Sequence, residues 1–159
     1  MMAEPQKKRM QDLLNRQHQR MQELAAVKAK TDLRVNVPLF DAKYRFAEPE
    51  ETEKIEGILR MLPFSATGRI DTAKLTGANS VEKPTYQGEA WVCFLCGSES
   101  VLHLFLRGRI DDILRDLDTW TAVSPMLLLL LGDYRHIIFL DDDGSFTEAE
   151  CERTDASAD

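Results

Sequence analysis

Three consecutive acids, Asp141-Asp142-Asp143, follow the apolar run Ile137 to Leu140 and precede Gly144 and Ser145. Carboxylates spaced two apart at a strand end can share a divalent cation, and one of them can attack phosphorus as a nucleophile. The same stretch half-fits a calcium loop. Asp141, Asp143, Gly144, Phe146 and Glu150 fall at loop positions 3, 5, 6, 8 and 12, but position 1 would be Phe139, which has no oxygen to offer. Asp141 and Asp143 are therefore the candidate metal ligands of the chain. The plainer reading is a strand that closes in an Asp-Gly turn, and on that reading no metal or other cofactor is expected.

The ten residues from Ile137 to Phe146 resemble the first motif of haloacid-dehalogenase-like phosphatases, an apolar strand followed by D-x-D-G-[TS]. The resemblance implies a divalent-metal phosphohydrolase with Asp141 as nucleophile, Asp143 as acid/base and Mg²⁺ between them. That family carries its sheet, a lysine and further metal-binding acids after this motif, whereas fifteen residues follow Gly144 here.

The other reactive residues are scattered. Cys93 and Cys96 form a CxxC, but on an extended strand residues three apart face opposite ways. They read as small core residues. With Cys151 they make an odd number, which argues against a disulfide framework and for a reducing, cytoplasmic setting. His103 and His136 read as strand residues, and His18 stands apart. There is no phosphate-binding glycine loop, nucleophile elbow or dinucleotide fingerprint, so an enzyme is not expected.

Charge is the stronger signal. The chain has 20 basic and 27 acidic residues. Residues 1–31 hold seven Lys/Arg against three acids, and the remainder thirteen against twenty-four. Residues 5–31 read as a helix opened by Pro5. Its seam is Met10, Leu14, Gln17, Met21, Leu24 and Lys28, of which Met10, Leu14, Met21 and Leu24 are the expected partner contacts. No aromatic residue interleaves the basic ones, which favours a protein over a nucleic acid as its partner. Residues 109–120 read as a second amphipathic helix, with Ile110, Ile113, Leu114, Leu117 and Trp120 on one face. Asp111, Asp112, Asp116 and Asp118 occupy the rest. With Asp141 to Asp143 they are expected to form a negative face that steers a basic partner.

The elements that must position these residues are sheet-forming. Met126 to Leu131 is an unbroken aliphatic run, which is stable only if covered on both faces, hence a central strand. Gly132-Asp133 reads as a two-residue turn, pairing Leu131 with Tyr134, Leu129 with His136 and Leu127 with Ile138. A second hairpin is expected over Ala90–Cys96 and Val101–Leu106, and a helix over 48–62, where Gly57 hints at close packing. Residues 32–47 read as an extended connector. Residues 63–88 read as a loop available for binding, with a short strand near Arg69 to Leu75. No apolar run approaches the roughly twenty residues of a membrane span, and Met1 to Lys30 has no signal-peptide core.

The expected architecture is α+β: an antiparallel sheet of about five strands covered by helices. It spans residues 33–150, after a basic arm at 1–32 and before a disordered acidic tail at 151–159. The expected function is a non-enzymatic protein-binding domain, most concretely an immunity- or inhibitor-type protein that masks a basic target. The alternatives are an adaptor docking through the N-terminal helix and the phosphohydrolase above.

Overall fold

Five leucines, Leu127–Leu131 (β5), run through the middle of the protein and every one is buried. In the computed structural model, which describes residues 3–151, they form the fourth strand of a seven-stranded antiparallel sheet. The strands, in chain order, are β1 Arg45–Phe46, β2 Asn79–Val81, β3 Glu89–Phe94, β4 Phe105–Arg109, β5, β6 His136–Leu140 and β7 Phe146–Glu150. Their order across the sheet is β1-β4-β3-β5-β6-β7-β2. The class is as expected, with seven strands rather than five. The two extra strands are the edges. Each is two or three residues long, too short to show a period of two in the sequence.

The pleat sorts the strand residues into two cores. Leu127, Leu129 and Leu131 face one side with Val92, Phe94, Leu106 and Ile138. Leu128 and Leu130 face the other with Trp91, Cys93, Phe105, Ile137 and Phe139. The first side is covered by Ile110–Arg115 and Leu117–Val123, and by the end of a long N-terminal helix, Glu4–Asn36 (α1), with the short helix Phe40–Lys43 (α2). The second side is covered by Pro49–Met61 (α3), through Ile55, Ile58 and Leu59. A short helix, Glu99–Leu102 (α4), links β3 to β4, so Ile110–Arg115 and Leu117–Val123 are α5 and α6.

Several local expectations are corrected. The turn after β5 spans four residues, 132–135, and the register is Leu129 with Ile138 and Leu127 with Leu140. Asp133 widens it by accepting the backbone N–H groups of Arg135 and His136, at 2.9 and 3.1 Å, while Tyr134 takes a left-handed φ of 59°. The slip is two residues, so every side chain keeps its face. Residues 32–36 are helix, not connector. Leu33 and Val37, four apart, are buried, while Val35 between them is 79% exposed, a helical rather than a strand pattern. Val101 lies in α4, and His103 follows that helix as an exposed residue, its Nδ1 3.1 Å from Glu56 Oε1. A 3₁₀ turn at Thr72–Lys74 replaces the strand expected near Arg69 to Leu75. A Cβ at Gly57 would meet only an Arg60 nitrogen at 4.0 Å, so no close packing explains that glycine. The tail expected at 151–159 lies, beyond Cys151, outside the described residues.

The close approach is at Gly108 on β4, where the Tyr44 ring lies directly against the backbone and leaves no room for a Cβ. Tyr44 is fixed there by its hydroxyl on Asp116 and by edge-on packing against Trp120, 5.2 Å between centroids. Gly108→Ala is therefore expected to cost about 2–3 kcal/mol as an overpacking defect, read as a lower urea midpoint. An unchanged midpoint would show that the ring can move aside.

Candidate functional site

The expected acidic face begins on α5 and α6. Asp111 and Asp118 are exposed there. Asp112 is mostly covered and stands 3.6 Å from Arg115. Asp116 lies between the two helices and turns inward. Its Oδ2 accepts Lys43 Nζ at 2.7 Å and the Tyr44 hydroxyl at 2.6 Å. Only 11% of the Asp116 side chain and 19% of Lys43 reach solvent. Burial works against ionisation of Asp116, but the hydrogen bonds from Lys43 and Tyr44 outweigh it and hold the carboxyl below its usual value. The same contact, together with burial, pushes the Tyr44 hydroxyl up. Asp116 is thus a clasp between the end of α2 and α5–α6 rather than part of an open charged surface.

The Asp141–Asp143 stretch is the turn between β6 and β7. Asp141 N–H donates to the Ser145 carbonyl at 3.0 Å, and Gly144 N–H returns to the Asp141 carbonyl at 3.0 Å. Asp143 Oδ1 accepts both the N–H and the hydroxyl of Ser145, at 2.9 and 2.6 Å. Those bonds lower the Asp143 pKa. Arg69 spans the site, with one guanidinium nitrogen 2.8 Å from both Asp142 oxygens and Nε 3.8 Å from Asp141. The three acids therefore hold a turn and pin the 63–71 loop. Among the described residues no three His, Cys, Asp or Glu side chains are placed to hold one metal ion.

The remaining reactive groups are built into the body. Burial pushes the Cys93 thiol up, and burial with nearby Asp133 and Glu150 pushes Cys151 up to about 12, so neither is a ready thiolate. Cys96 Sγ sits 3.4 Å from the Ser124 hydroxyl. His136 Nδ1 is hydrogen-bonded to Asp133 Oδ2 at 2.6 Å. Glu148 is buried and accepts the Thr85 hydroxyl and the Thr85 and Tyr86 N–H groups. The end of the 63–88 loop, read as a binding loop, is thereby clasped to β7.

The arm is different. Met10, Leu14, Met21 and Leu24 are 47%, 51%, 64% and 64% exposed, and Leu13, Val27 and Val35 are exposed beside them. Helix α1 joins the core near its end, through Ala29, Leu33 and Val37, and from His18 to Lys30 it lines an open cleft against residues 98–104, with Met21 at the cleft's border. At 3.6 residues per turn the exposed stripe is centred roughly 160° around the helix from that docked side. From Met10 to Val35 it runs on the order of 38 Å. The body docks on the other face and leaves these side chains about half exposed or more.

Leu13 and Val27 were not among the expected contacts, although they widen the stripe to about 140° of the circumference. A strict seam spaced by four and three passes them by; a 3.6-residue wheel drawn over the whole helix would have found them. The Lys43–Tyr44–Asp116 clasp had no sequence signal, since its members stand more than seventy residues apart.

The chain matches no protein-family model, and no curated protein is similar to it above the level of chance. The site therefore rests on its own geometry.

The clasp predicts a stability effect with a defined pH sign. Asp116→Asn strands Lys43 and is expected to cost about 3 kcal/mol. Because the folded carboxyl titrates below its unfolded value near 3.9, its contribution is present above that pH and is lost as pH falls through the folded value. Urea melts of both proteins should differ most near neutrality and converge on acidification below about pH 4. A constant difference down to pH 2 would refute the clasp, as would none at neutrality.

Proposed function

We propose that this protein is a protein-binding adaptor that docks through its N-terminal helix. The observation that carries the reading is the apolar stripe of α1, exposed along its length and, among the described residues, turned away from the side by which α1 joins the core. Monomeric proteins seldom leave such a continuous patch uncovered. Burying the exposed halves of Met10, Leu14, Met21 and Leu24 on a partner would contribute about 1 kcal/mol each before the cost of association. Amphipathic helices presented with contacts spaced by three and four are a common recognition element.

An inhibitor that masks a basic target through α5 and α6 has narrower support. It would rest on Asp111 and Asp118, the exposed members of the acidic set. Among the described residues, no helix is long and apolar enough to cross a membrane.

Affinity capture from lysate of the native source tests the reading. The bait is the full chain, compared with Leu14→Glu/Met21→Glu, whose altered side chains point into solvent and should leave the melting temperature unchanged. A stoichiometric partner is expected on the first bait and not on the second. A partner held equally by both would move the interface to the body.

A further inference from the structure

The stripe of α1 has two unlike edges. Along one run Arg9, Arg16 and Arg20, within about 40° of one another around the helix and beside Leu13 and Val27. None of the three arginines forms an ion pair among the described residues. Asp12 and Glu23 lie further round, behind the row. The other edge is mixed, with Lys7 and Asp32 among neutral residues, each in an ion pair on the helix itself, Lys7 with Glu4 and Asp32 with Lys28. Gln11 bonds Asn15 at 3.0 Å, and Gln22 bonds His18 at 3.1 Å.

We infer that the occupant of the stripe is an acidic amphipathic helix of a different protein. Its apolar face lies on Met10, Leu14, Met21 and Leu24, and its carboxylates lie along Arg9, Arg16 and Arg20. The inference rests on the docking reading above and adds the chemistry of the partner.

Three features of the arm select this occupant. The spacing of the stripe matches another helix lying along it. The arginine row is unpaired and borders the apolar contact, where a carboxylate gains most from partial desolvation. The edges also count against a second copy of the chain. Paired parallel, two arms would set Lys28 against Lys28 in the seam and turn Arg20 toward Ala25, with Arg9 and Arg16 outside the contact. Paired antiparallel about their middles, they would bring Arg20 against Arg20. Either arrangement leaves the arginine row without an opposite charge. The body of a second copy offers no matching stripe, since its exposed large apolar residues are Leu39, Met61 and Phe64. Helix α1 carries no aromatic residue, in contrast to interfacial membrane helices and single-strand nucleic-acid platforms.

The test uses the full chain and labelled synthetic helices of about 28 residues, four heptads with leucine at the seam. One carries glutamate at the flanking positions and the other lysine. Fluorescence anisotropy should show the glutamate helix binding at least about tenfold tighter, the sum expected of three modest ion pairs. Arg9→Gln/Arg16→Gln/Arg20→Gln should erase the preference. Leu14→Ser/Met21→Ser should abolish binding with the arginines intact. Equal affinity for the two helices overturns the inference, and so does no binding of either. Binding of the glutamate helix that survives Leu14→Ser/Met21→Ser also overturns it, because the charge would then act without the stripe. A concentration-dependent dimer that dissociates in Leu14→Ser/Met21→Ser would make a second copy the occupant, and arm-dependent binding to phosphatidylserine vesicles would make it a membrane. Both results overturn the inference. If capture through the arm holds while the glutamate preference fails, the partner chemistry alone is wrong. If the arm variant keeps its captured partner, the docking reading itself falls.

Discussion

The structure depends on one strand that cannot face water on either side. Five leucines in an extended chain place three side chains on one face and two on the other, so β5 must lie inside a sheet that is covered twice. Strands β3 and β6 flank it and are nearly as apolar. Polarity rises outward, through β4 and β7 to the short β1 and β2. An antiparallel sheet with both faces covered needs helices above and below, and the chain supplies α3 to one side and α5 and α6 to the other. Brevity at the two edges also limits edge-to-edge pairing with other chains.

The two covers are not equivalent. On one side α3 is held at its start by Pro49 and by Glu51, which accepts a bidentate bond from Arg45 at 2.8 Å. That bond, with the Glu48 N–H, lowers the Glu51 pKa to about 2. On the other side the cover is assembled from three parts of the chain. Trp120, Tyr44 and Phe40 interlock above the sheet, and Asp116 ties the last two segments together through Lys43 and Tyr44. The end of α1 belongs to this cover. Its apolar face is therefore used up where it docks, and its orientation is set by the fold.

The parts legible in the sequence were those with long or extreme patterns. The leucine run declared a central strand, Pro49 with its glutamates declared α3, the seam spaced by four and three declared α1, and the 3.6-residue period declared the α5–α6 segment. What failed was local. Leu33, Val35 and Val37 satisfy a strand and a helix alike over five residues, and only the burial of Leu33 and Val37 decides between them. The turn after β5 was misjudged because Asp133 caps two N–H groups that a two-residue loop would have left in the ladder. Asp116 looked like its neighbours Asp111, Asp112 and Asp118, and no local pattern distinguishes an acid that meets Lys43 and Tyr44 across the fold from one that meets water. Long-range polar pairs are the part of a site that periodicity does not encode.

That difference bears on which surface can carry function. A group already satisfied inside the molecule has little left to offer a partner: Asp116, Asp142 and Glu148 are each committed to bonds that hold the fold. The arm is committed only at its last turns. A helix of 33 residues with a polar average composition gains little from its own propensity, and docking of its end supplies the nucleus from which the free turns extend. The free turns then present an apolar stripe that stays largely exposed among the described residues. Basic residues along that arm keep it hydrated and mutually repelling while the stripe stands open. On the docking reading proposed above, the charges that limit self-association are also the ones that would favour an acidic partner, both from one arrangement of side chains on one helix.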